Sequence, residues 1–189
     1  MKNIKPVVRR KGLEMGLSTS HVFRSRLPFG SLFVGRQGRP YRSVKPLAGY
    51  DCLIRKAVLS DRAGLFPLLK DFSTSFSPEE TAFDIALENI LSDDSAILLV
   101  ALLENCIIGY CLGFDHYAFY ANGRVSWVEE LMVHGAFRKK DIGRALMDQF
   151  EAWAKSRKSK LVGLATRRAA PFYQALDYEN SAVFFRKLL

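Results

Sequence analysis

The residues best suited to chemistry are a pair of carboxylates and a run of basic residues close behind it. Glu129 and Glu130 lie inside an apolar segment, 127–133, whose Val, Leu, Met and Trp content predicts a β-strand. Residues 138–140 are Arg, Lys and Lys, and they crowd the start of a predicted helix. A carboxylate can accept a proton, and the free N–H groups at a helix start attract anions. The segment therefore combines a candidate acid–base pair with a candidate anion site.

An amphipathic helix is predicted to follow the basic run. Its apolar side chains recur at helical spacing on one face: Ile142, Leu146, Phe150 and Trp153. Asp148, Glu151 and Lys155 fall on the opposite face. A strand that leads into a basic turn and a helix start is an arrangement suited to binding phosphate.

Residues 131–146 resemble the acetyl-CoA-binding motif of the GCN5-related N-acetyltransferase (GNAT) family. That motif, Gln/Arg-x-x-Gly-x-Gly/Ala, is entered from a strand, and it is matched here by Arg138 and Gly143. Asp141 stands where the motif has its first glycine. Residues 166–178 resemble the C-terminal pattern of the same family. This second pattern matches at Ala169, Phe172, Tyr173 and Tyr178 and departs at Thr166 and Asp177.

The resemblance covers most of 52–187, and segment 109–133 is also similar to the diamine (polyamine) acetyltransferase branch. It implies direct transfer of an acetyl group from acetyl-CoA to an amine. Glu129 would be the general base, acting through water, and Tyr173 the general acid that protonates the departing thiolate. The implied coenzyme-binding residues are Leu131, Met132 and Val133 for the thioester and pantetheine, and Arg138, Lys139, Lys140, Asp141, Ile142, Gly143 and Arg144 for the pyrophosphate.

Each of these residues also has an ordinary structural interpretation. Either glutamate could be solvated or paired with a basic side chain, Tyr173 could be a core aromatic residue, and the basic run could be a solvated surface. Neighbouring strand residues face opposite sides of a sheet. Glu129 and Glu130 could therefore reach one substrate only if a β-bulge intervened.

The two aspartates that replace family glycines predict a weakened coenzyme site. Asp141 is a good helix N-cap residue, but its carboxylate would occupy N–H groups that a pyrophosphate needs and would repel the ligand. A glycine also adopts a positive φ more readily than aspartate does. Asp177 is among the better non-glycine residues at a positive φ, so the turn that it forms is expected to survive.

Patterns along the chain predict an α/β domain with a mixed, mostly antiparallel sheet flanked by helices, which is the acyl-CoA N-acyltransferase fold that the resemblance implies. Ser60 and the capping box at 77–80 are expected to start two helices. Glu104-Asn105 and Asn122-Gly123 are expected to be hairpin turns. The remaining predicted elements are strands at 53–58, 96–103, 106–114, 160–166 and 181–187 and a short helix at 169–176.

Composition sets limits on the setting of this domain. The 189 residues suffice for one domain, 51–189, and no apolar run is long enough to predict a membrane helix. Residues 1–50 hold 11 of the 28 Lys and Arg residues and one acidic residue, which predicts a basic, disordered arm. The arm could be an organelle transit peptide, a nucleic-acid contact or a solvated extension. Cys52, Cys106 and Cys111 are expected to be reduced, buried thiols.

The leading hypothesis is a cytoplasmic, acetyl-CoA-dependent N-acetyltransferase that acts on a primary amine of a small molecule and needs no metal. The first alternative is a non-catalytic acyl-CoA-binding or regulatory member of the same fold. The second, a nucleic-acid-associated protein, is less favoured because the domain carries no zinc spacing or nucleic-acid motif. A homodimer is expected only because family members often form one.

Overall fold

The computed structural model describes residues 52–73 and 75–188. The predicted basic arm, 1–50, lies outside the described residues. The strands are β1 (Leu53–Lys56), β2 (Ala96–Leu103), β3 (Cys106–Ala118), β4 (Gly123–Val133) and β5 (Ser159–Leu164). The helices are α1 (Arg62–Phe72), α2 (Glu80–Ser92), α3 (Ile142–Ser156) and α4 (Ala170–Gln174).

The described strands form one five-stranded sheet in the order β1-β2-β3-β4-β5. Strands β1 to β4 pair antiparallel, and β5 pairs parallel to β4 after the crossover through α3. A cluster of buried side chains on one face joins the sheet to α3, and a second cluster on the other face joins it to α1 and α2. The predicted mixed, mostly antiparallel sheet flanked by helices is confirmed.

Both predicted hairpin turns are present, and each uses residues that tolerate a left-handed backbone. Glu104 and Asn105 have φ values of 48° and 67° between β2 and β3. Asn122, with φ of 51°, directly precedes β4. Two consecutive left-handed residues are typical of the turn that matches the twist of paired strands.

A β-bulge in β4 shifts the register beside the glutamate pair. Leu112 pairs with Glu130, whereas the next residue of β3, Gly113, pairs with Val128. Glu129 is therefore the extra residue of the bulge. On its other side β4 pairs with β5 only as far as Val128 and Leu164. The two strands are thus no longer paired where the bulge begins.

The predicted strand at 181–187 is wrong. These residues have no regular secondary structure, and Val183, Phe184 and Phe185 are exposed. A strand forms only where a neighbouring strand accepts its backbone hydrogen bonds. Here Arg186 instead donates a hydrogen bond to the Ser75 hydroxyl in the loop between α1 and α2.

The predicted helix caps are also wrong. Ser60 lies inside a 3₁₀ turn, Leu59–Asp61, and α2 begins two residues after the expected position, with Glu79 as its N-cap and no side-chain cap bond. Glu80 is the first residue of α2 and not the third, so it cannot form the predicted capping box, and its side chain instead accepts a hydrogen bond from Arg62 at 3.0 Å. Cys106, which was expected to be buried, is exposed because it begins β3 directly after the turn.

Candidate active site

The predicted pyrophosphate-binding residues form an exposed turn at the start of α3. Lys139 and Asp141 have left-handed backbones, with φ values of 59° and 58°. The first backbone hydrogen bond of α3 runs from the Ala145 N–H to the Asp141 carbonyl. The N–H groups of residues 142–144 therefore have no intrahelical partner. Such groups, at the positive end of a helix, can bind an anion.

The arginines of this segment hold the turn in place, and its lysines are exposed, with the Lys140 ammonium 5.3 Å from the centre of the Phe137 ring. Arg138 donates from Nε to the Val133 carbonyl at 3.0 Å, which ties the turn to the end of β4. Arg144 donates to the Ala175 carbonyl at 2.9 Å and so joins α3 to the residue after α4. The two lysines between them, at 139 and 140, are exposed. They are the basic side chains of the turn that a bound phosphate could reach most freely.

Ile142 and Gly143 contribute packing and backbone groups. The Ile142 side chain is buried in the cluster that joins α3 to the sheet. A Cβ atom at Gly143 would lie 3.2 Å from the Phe172 ring, which is closer than most side-chain contacts. Because Gly143 has no side chain, the start of α3 can pack closely on α4.

The expected capping by Asp141 is wrong. Its side chain makes no cap hydrogen bond. A residue that caps through its side chain normally has an extended backbone, whereas Asp141 has φ of 58° and ψ of 6°. The carboxylate does not occupy the N–H groups at the helix start. The negative charge of Asp141 is therefore the feature that is still expected to weaken binding of an anionic ligand.

Asp141→Asn is expected to tighten binding of acetyl-CoA roughly five-fold at low salt, because one unit charge about 4 Å from another contributes about 1 kcal/mol in water. Asparagine also tolerates the left-handed backbone, so the variant changes charge with little change in conformation. Isothermal titration at two salt concentrations measures the effect, which should shrink as screening increases. Asp141→Gly is the control for the backbone. Equal affinities of wild type and Asp141→Asn at low salt would contradict this prediction.

Glu130 is the half-buried one of two carboxylates that line the cavity between the sheet and helices α1 and α2; the other, Glu79, is exposed. The Tyr110 hydroxyl donates a hydrogen bond to Glu130 Oε2 at 2.6 Å. Burial raises the pKa of the Glu130 carboxyl above its usual value of 4.5, while the bond from Tyr110 lowers it and the charge of Glu129 raises it. Burial also raises the pKa of Tyr110, so this phenol stays protonated as a donor. A carboxylate with a raised pKa is a stronger base at neutral pH.

Glu129, the predicted base, lies on the bulge with an exposed side chain. The bulge directs Glu130 to the face of α1 and α2, while Val128 and Leu131 both pack on the face of α3. Of the predicted carboxylate pair, Glu129 was expected to be the base, and Tyr110, the hydrogen-bond donor to Glu130, was not among the predicted site residues. The sequence did carry a sign of the bulge. Val128 and Leu131 are apolar and share one face of the sheet, but two residues lie between them, whereas a regular strand would place one.

Tyr173 is held by a helix-ending motif. The Tyr178 N–H donates to the Tyr173 carbonyl at 3.0 Å, and the Asp177 N–H donates to the Gln174 carbonyl at 3.1 Å. Asp177 has φ of 63°, the left-handed conformation that this motif requires. The rings of Tyr173 and Tyr178 lie 5.9 Å apart. The expectation that the turn survives with aspartate in place of glycine is confirmed.

The two tyrosine hydroxyls of this motif have different surroundings. Tyr178 donates to Glu151 at 3.0 Å. Among the described residues, by contrast, no side chain is hydrogen-bonded to the Tyr173 hydroxyl. Burial raises the pKa of Tyr173 to about 12, so it is protonated at neutral pH. Tyr173 therefore has a proton to donate.

Leu131 and Val133 pack on the α3 side of the sheet, together with Tyr173, whereas Met132 is buried on the opposite side. Within the described residues, pairing of β4 with β5 stops at Val128, before these three residues. Their backbone groups on that edge are therefore not used by β5. An extended ligand can add to such an edge through main-chain hydrogen bonds.

A family model described as the acetyltransferase (GNAT) family matches residues 63–178, well over half of the chain. The chain belongs to the GNAT acetyltransferase family. Membership classes this GNAT protein as an N-acetyltransferase, which confirms the predicted enzyme class. No curated protein sequence matches it significantly.

Solved structures agree with this fold. A transcriptional regulator from Bacillus halodurans C-125 is 23% identical, with a TM-score of 0.67 over 73% of this chain and 99% of that one. Glucosamine-6-phosphate N-acetyltransferase from Arabidopsis thaliana is 24% identical, with a TM-score of 0.66 over 72% and 97%. An aminoglycoside N-acetyltransferase in complex with CoA is 20% identical, with a TM-score of 0.65 over 74% and 96%. At these identities the likeness shows the fold alone.

Two further features of the GNAT domain concern membranes and metals. Within the described residues, no helix has both the length and the apolar character needed to cross a membrane. In the same part of the chain, no group of three or more His, Cys, Asp or Glu side chains could hold a metal ion.

Proposed function

We propose that this GNAT protein transfers an acetyl group from acetyl-CoA to a primary amine of a small molecule by direct attack. The observation that carries the proposal is Glu130, a half-buried carboxylate with a raised pKa in a cavity, on the strand that continues into the basic turn. That strand joins a group able to take a proton to a turn able to bind a diphosphate.

Acetyl-CoA would lie on the α3 side of the sheet. Its pyrophosphate would meet the N–H groups at the start of α3 and the side chains of Lys139 and Lys140. Its pantetheine arm would run along the edge of β4 that β5 leaves unpaired, beside Leu131 and Val133. The amine would enter from the other face, where Glu130 lines the cavity.

The reaction would form one C–N bond and break one C–S bond. The Glu130 carboxylate would take the proton that the ammonium loses, and the free amine would attack the thioester carbonyl carbon. The sulfur would leave as a thiolate that accepts a hydrogen bond from the Tyr173 hydroxyl, and the attacking nitrogen would release its second proton to solvent as the amide forms. A tyrosine with pKa about 12 remains a donor in this role, because a simple thiol has a pKa of about 8.5 and its thiolate holds a proton less tightly.

The test is calorimetric titration of the full chain with acetyl-CoA, followed by mass spectrometry of amines incubated with both. Mass spectrometry is preferable to thiol reagents because the exposed Cys106 would react with them. Binding with acetylation of an amine supports the proposal. Binding of acetyl-CoA without acetylation of any amine overturns it in favour of the non-catalytic acyl-CoA-binding member.

Tyr173→Phe is expected to lower kcat roughly 10- to 150-fold, because a hydrogen bond to a charged group contributes about 1.5–3 kcal/mol. The affinity for acetyl-CoA should not change, since the intact thioester carries no charge at sulfur. Tyr178→Phe is the matched control, because its hydroxyl is already bonded to Glu151. Equal kcat values for Tyr173→Phe and wild type would show that Tyr173 is only a packing residue.

A further inference from the structure

A cavity of about 300 Å³ lies between the sheet and helices α1 and α2, with Glu130 in its wall. Most of the rest of the wall is apolar, including Leu65, Leu69, Phe83, Leu87, Ile90 and Leu112. This volume is at the lower end of the range for small-molecule pockets, roughly 300–1,000 Å³. It suits a single ring or a short alkyl chain better than an oligosaccharide.

The cavity wall contains four residues with polar side chains, and only two of these are charged. The Ser73 hydroxyl donates to the Phe76 carbonyl, and the Tyr110 hydroxyl donates to Glu130. Glu79 precedes α2 and is exposed. Glu130 is therefore the half-buried charge of the cavity, and it can neutralise one cation.

We infer that the acceptor is a primary amine with a single positive charge and an apolar aryl or alkyl substituent. This inference rests on the proposed function and names the substrate class of its site. The ammonium meets Glu130, and the substituent contacts the apolar wall. A second ammonium, or the hydroxyls of a sugar, would lose hydration among leucine and phenylalanine side chains without gaining partners. The class therefore excludes diamines and amino sugars as preferred acceptors.

The test compares two amines of the same length that differ at one end. In n-pentylamine a methyl group stands where 1,4-diaminobutane has its second ammonium. With the full chain and saturating acetyl-CoA, kcat/KM for n-pentylamine should exceed that for 1,4-diaminobutane at least ten-fold. Within a series of n-alkylamines, kcat/KM should rise roughly four-fold for each added methylene until the cavity is filled. Equal or higher kcat/KM for 1,4-diaminobutane or glucosamine would overturn the inference.

A variant that partly fills the cavity tests whether the cavity causes the preference for amines with an apolar substituent. Ala86 lines the cavity from an exposed position on α2, so a larger side chain can enter without displacing a buried residue. Ala86→Phe should lower the ratio of kcat/KM for 2-phenylethylamine to that for ethylamine at least ten-fold. Ala152→Phe, on the exposed face of α3, is the matched control and should leave this ratio unchanged. An unchanged ratio in Ala86→Phe would contradict the assignment of the cavity.

Titration of the protein–CoA complex with each amine separates this inference from the proposed function. Binding of n-pentylamine but not 1,4-diaminobutane, with no acetylation of either, would refute the enzyme activity and support the ligand class. Acetylation of 1,4-diaminobutane in preference to n-pentylamine would support the activity and refute the ligand class. Binding of neither amine, with acetylation of neither, would refute both.

Discussion

Glu130→Gln is expected to lower kcat/KM for amine acetylation by roughly 10²- to 10⁴-fold, the usual contribution of a positioned acid–base group. Glutamine keeps the shape of the side chain and can still accept a hydrogen bond from Tyr110, but it cannot take a proton. Glu129→Gln is the matched control, because its side chain is exposed on the bulge. The sequence-based prediction that Glu129 is the base gives the opposite ranking, so the pair of variants decides between the two carboxylates.

The pH dependence gives a second readout of the same variants. Because burial raises the pKa of Glu130, activity should fall on acidification at a pH above 4.5. Tyr110→Phe removes the hydrogen bond that lowers this pKa, so the acidic limb should move to higher pH. Glu129→Gln removes a charge that raises it, so the limb should move to lower pH. An acidic limb that survives unchanged in Glu130→Gln would assign it to another group.

Loss of activity in Glu130→Gln should not come from unfolding. The folded state raises the pKa of this carboxyl, so folding is opposed by its ionised form and this cost disappears as the pH falls through the folded-state pKa. A neutral glutamine removes the same cost at neutral pH. Thermal unfolding at pH 7 should therefore show a variant at least about as stable as wild type. A large drop in Tm would invalidate the kinetic comparison.

Asp115→Asn is expected to lower the free energy of unfolding by about 2–4 kcal/mol. Asp115 Oδ2 accepts from Arg124 at 2.7 Å and from Arg157 Nε at 3.1 Å, and Oδ1 accepts from Arg157 at 3.1 Å. The aspartate side chain is fully buried, and asparagine would remove the negative charge that both guanidinium groups contact. We expect a smaller loss of stability than removal of one partner from a fully buried ion pair would cause, because the side chains of Arg124 and Arg157 are 26% and 31% exposed.

Urea denaturation measures this loss as a lower midpoint. Asp148→Asn is the matched control, because Asp148 is exposed on α3 and the same substitution there should change stability by less than about 0.5 kcal/mol. Asp115 connects β3 with β4 and with the residue after α3, so its loss weakens the packing of α3 on the sheet. Equal midpoints for Asp115→Asn and wild type would show that the ion pairs contribute nothing net.

The sequence alone predicted the five strands of the sheet and the family. Alternating and helical apolar patterns identified the hairpin of β2 and β3, β4, and α3, because these elements bury a continuous apolar face whatever surrounds them. Hairpin turns were predicted at Glu104-Asn105 and Asn122-Gly123 because local backbone energetics decide them. The motif residues around Arg138 and Tyr173 identified the family because each motif is a contiguous stretch of the chain.

Tertiary structure decided which carboxylate enters the cavity. The bulge at Glu129 depends on the register of β4 against β3, and one shifted residue reverses which face each side chain takes. The capping box predicted at 77–80 is absent because α2 begins at Glu80, whose side chain pairs with Arg62, a residue distant in sequence. The strand predicted at 181–187 is absent because a strand needs a neighbouring strand to accept its backbone hydrogen bonds. In each case the sequence carried the local preference, and contacts between distant residues determined the outcome.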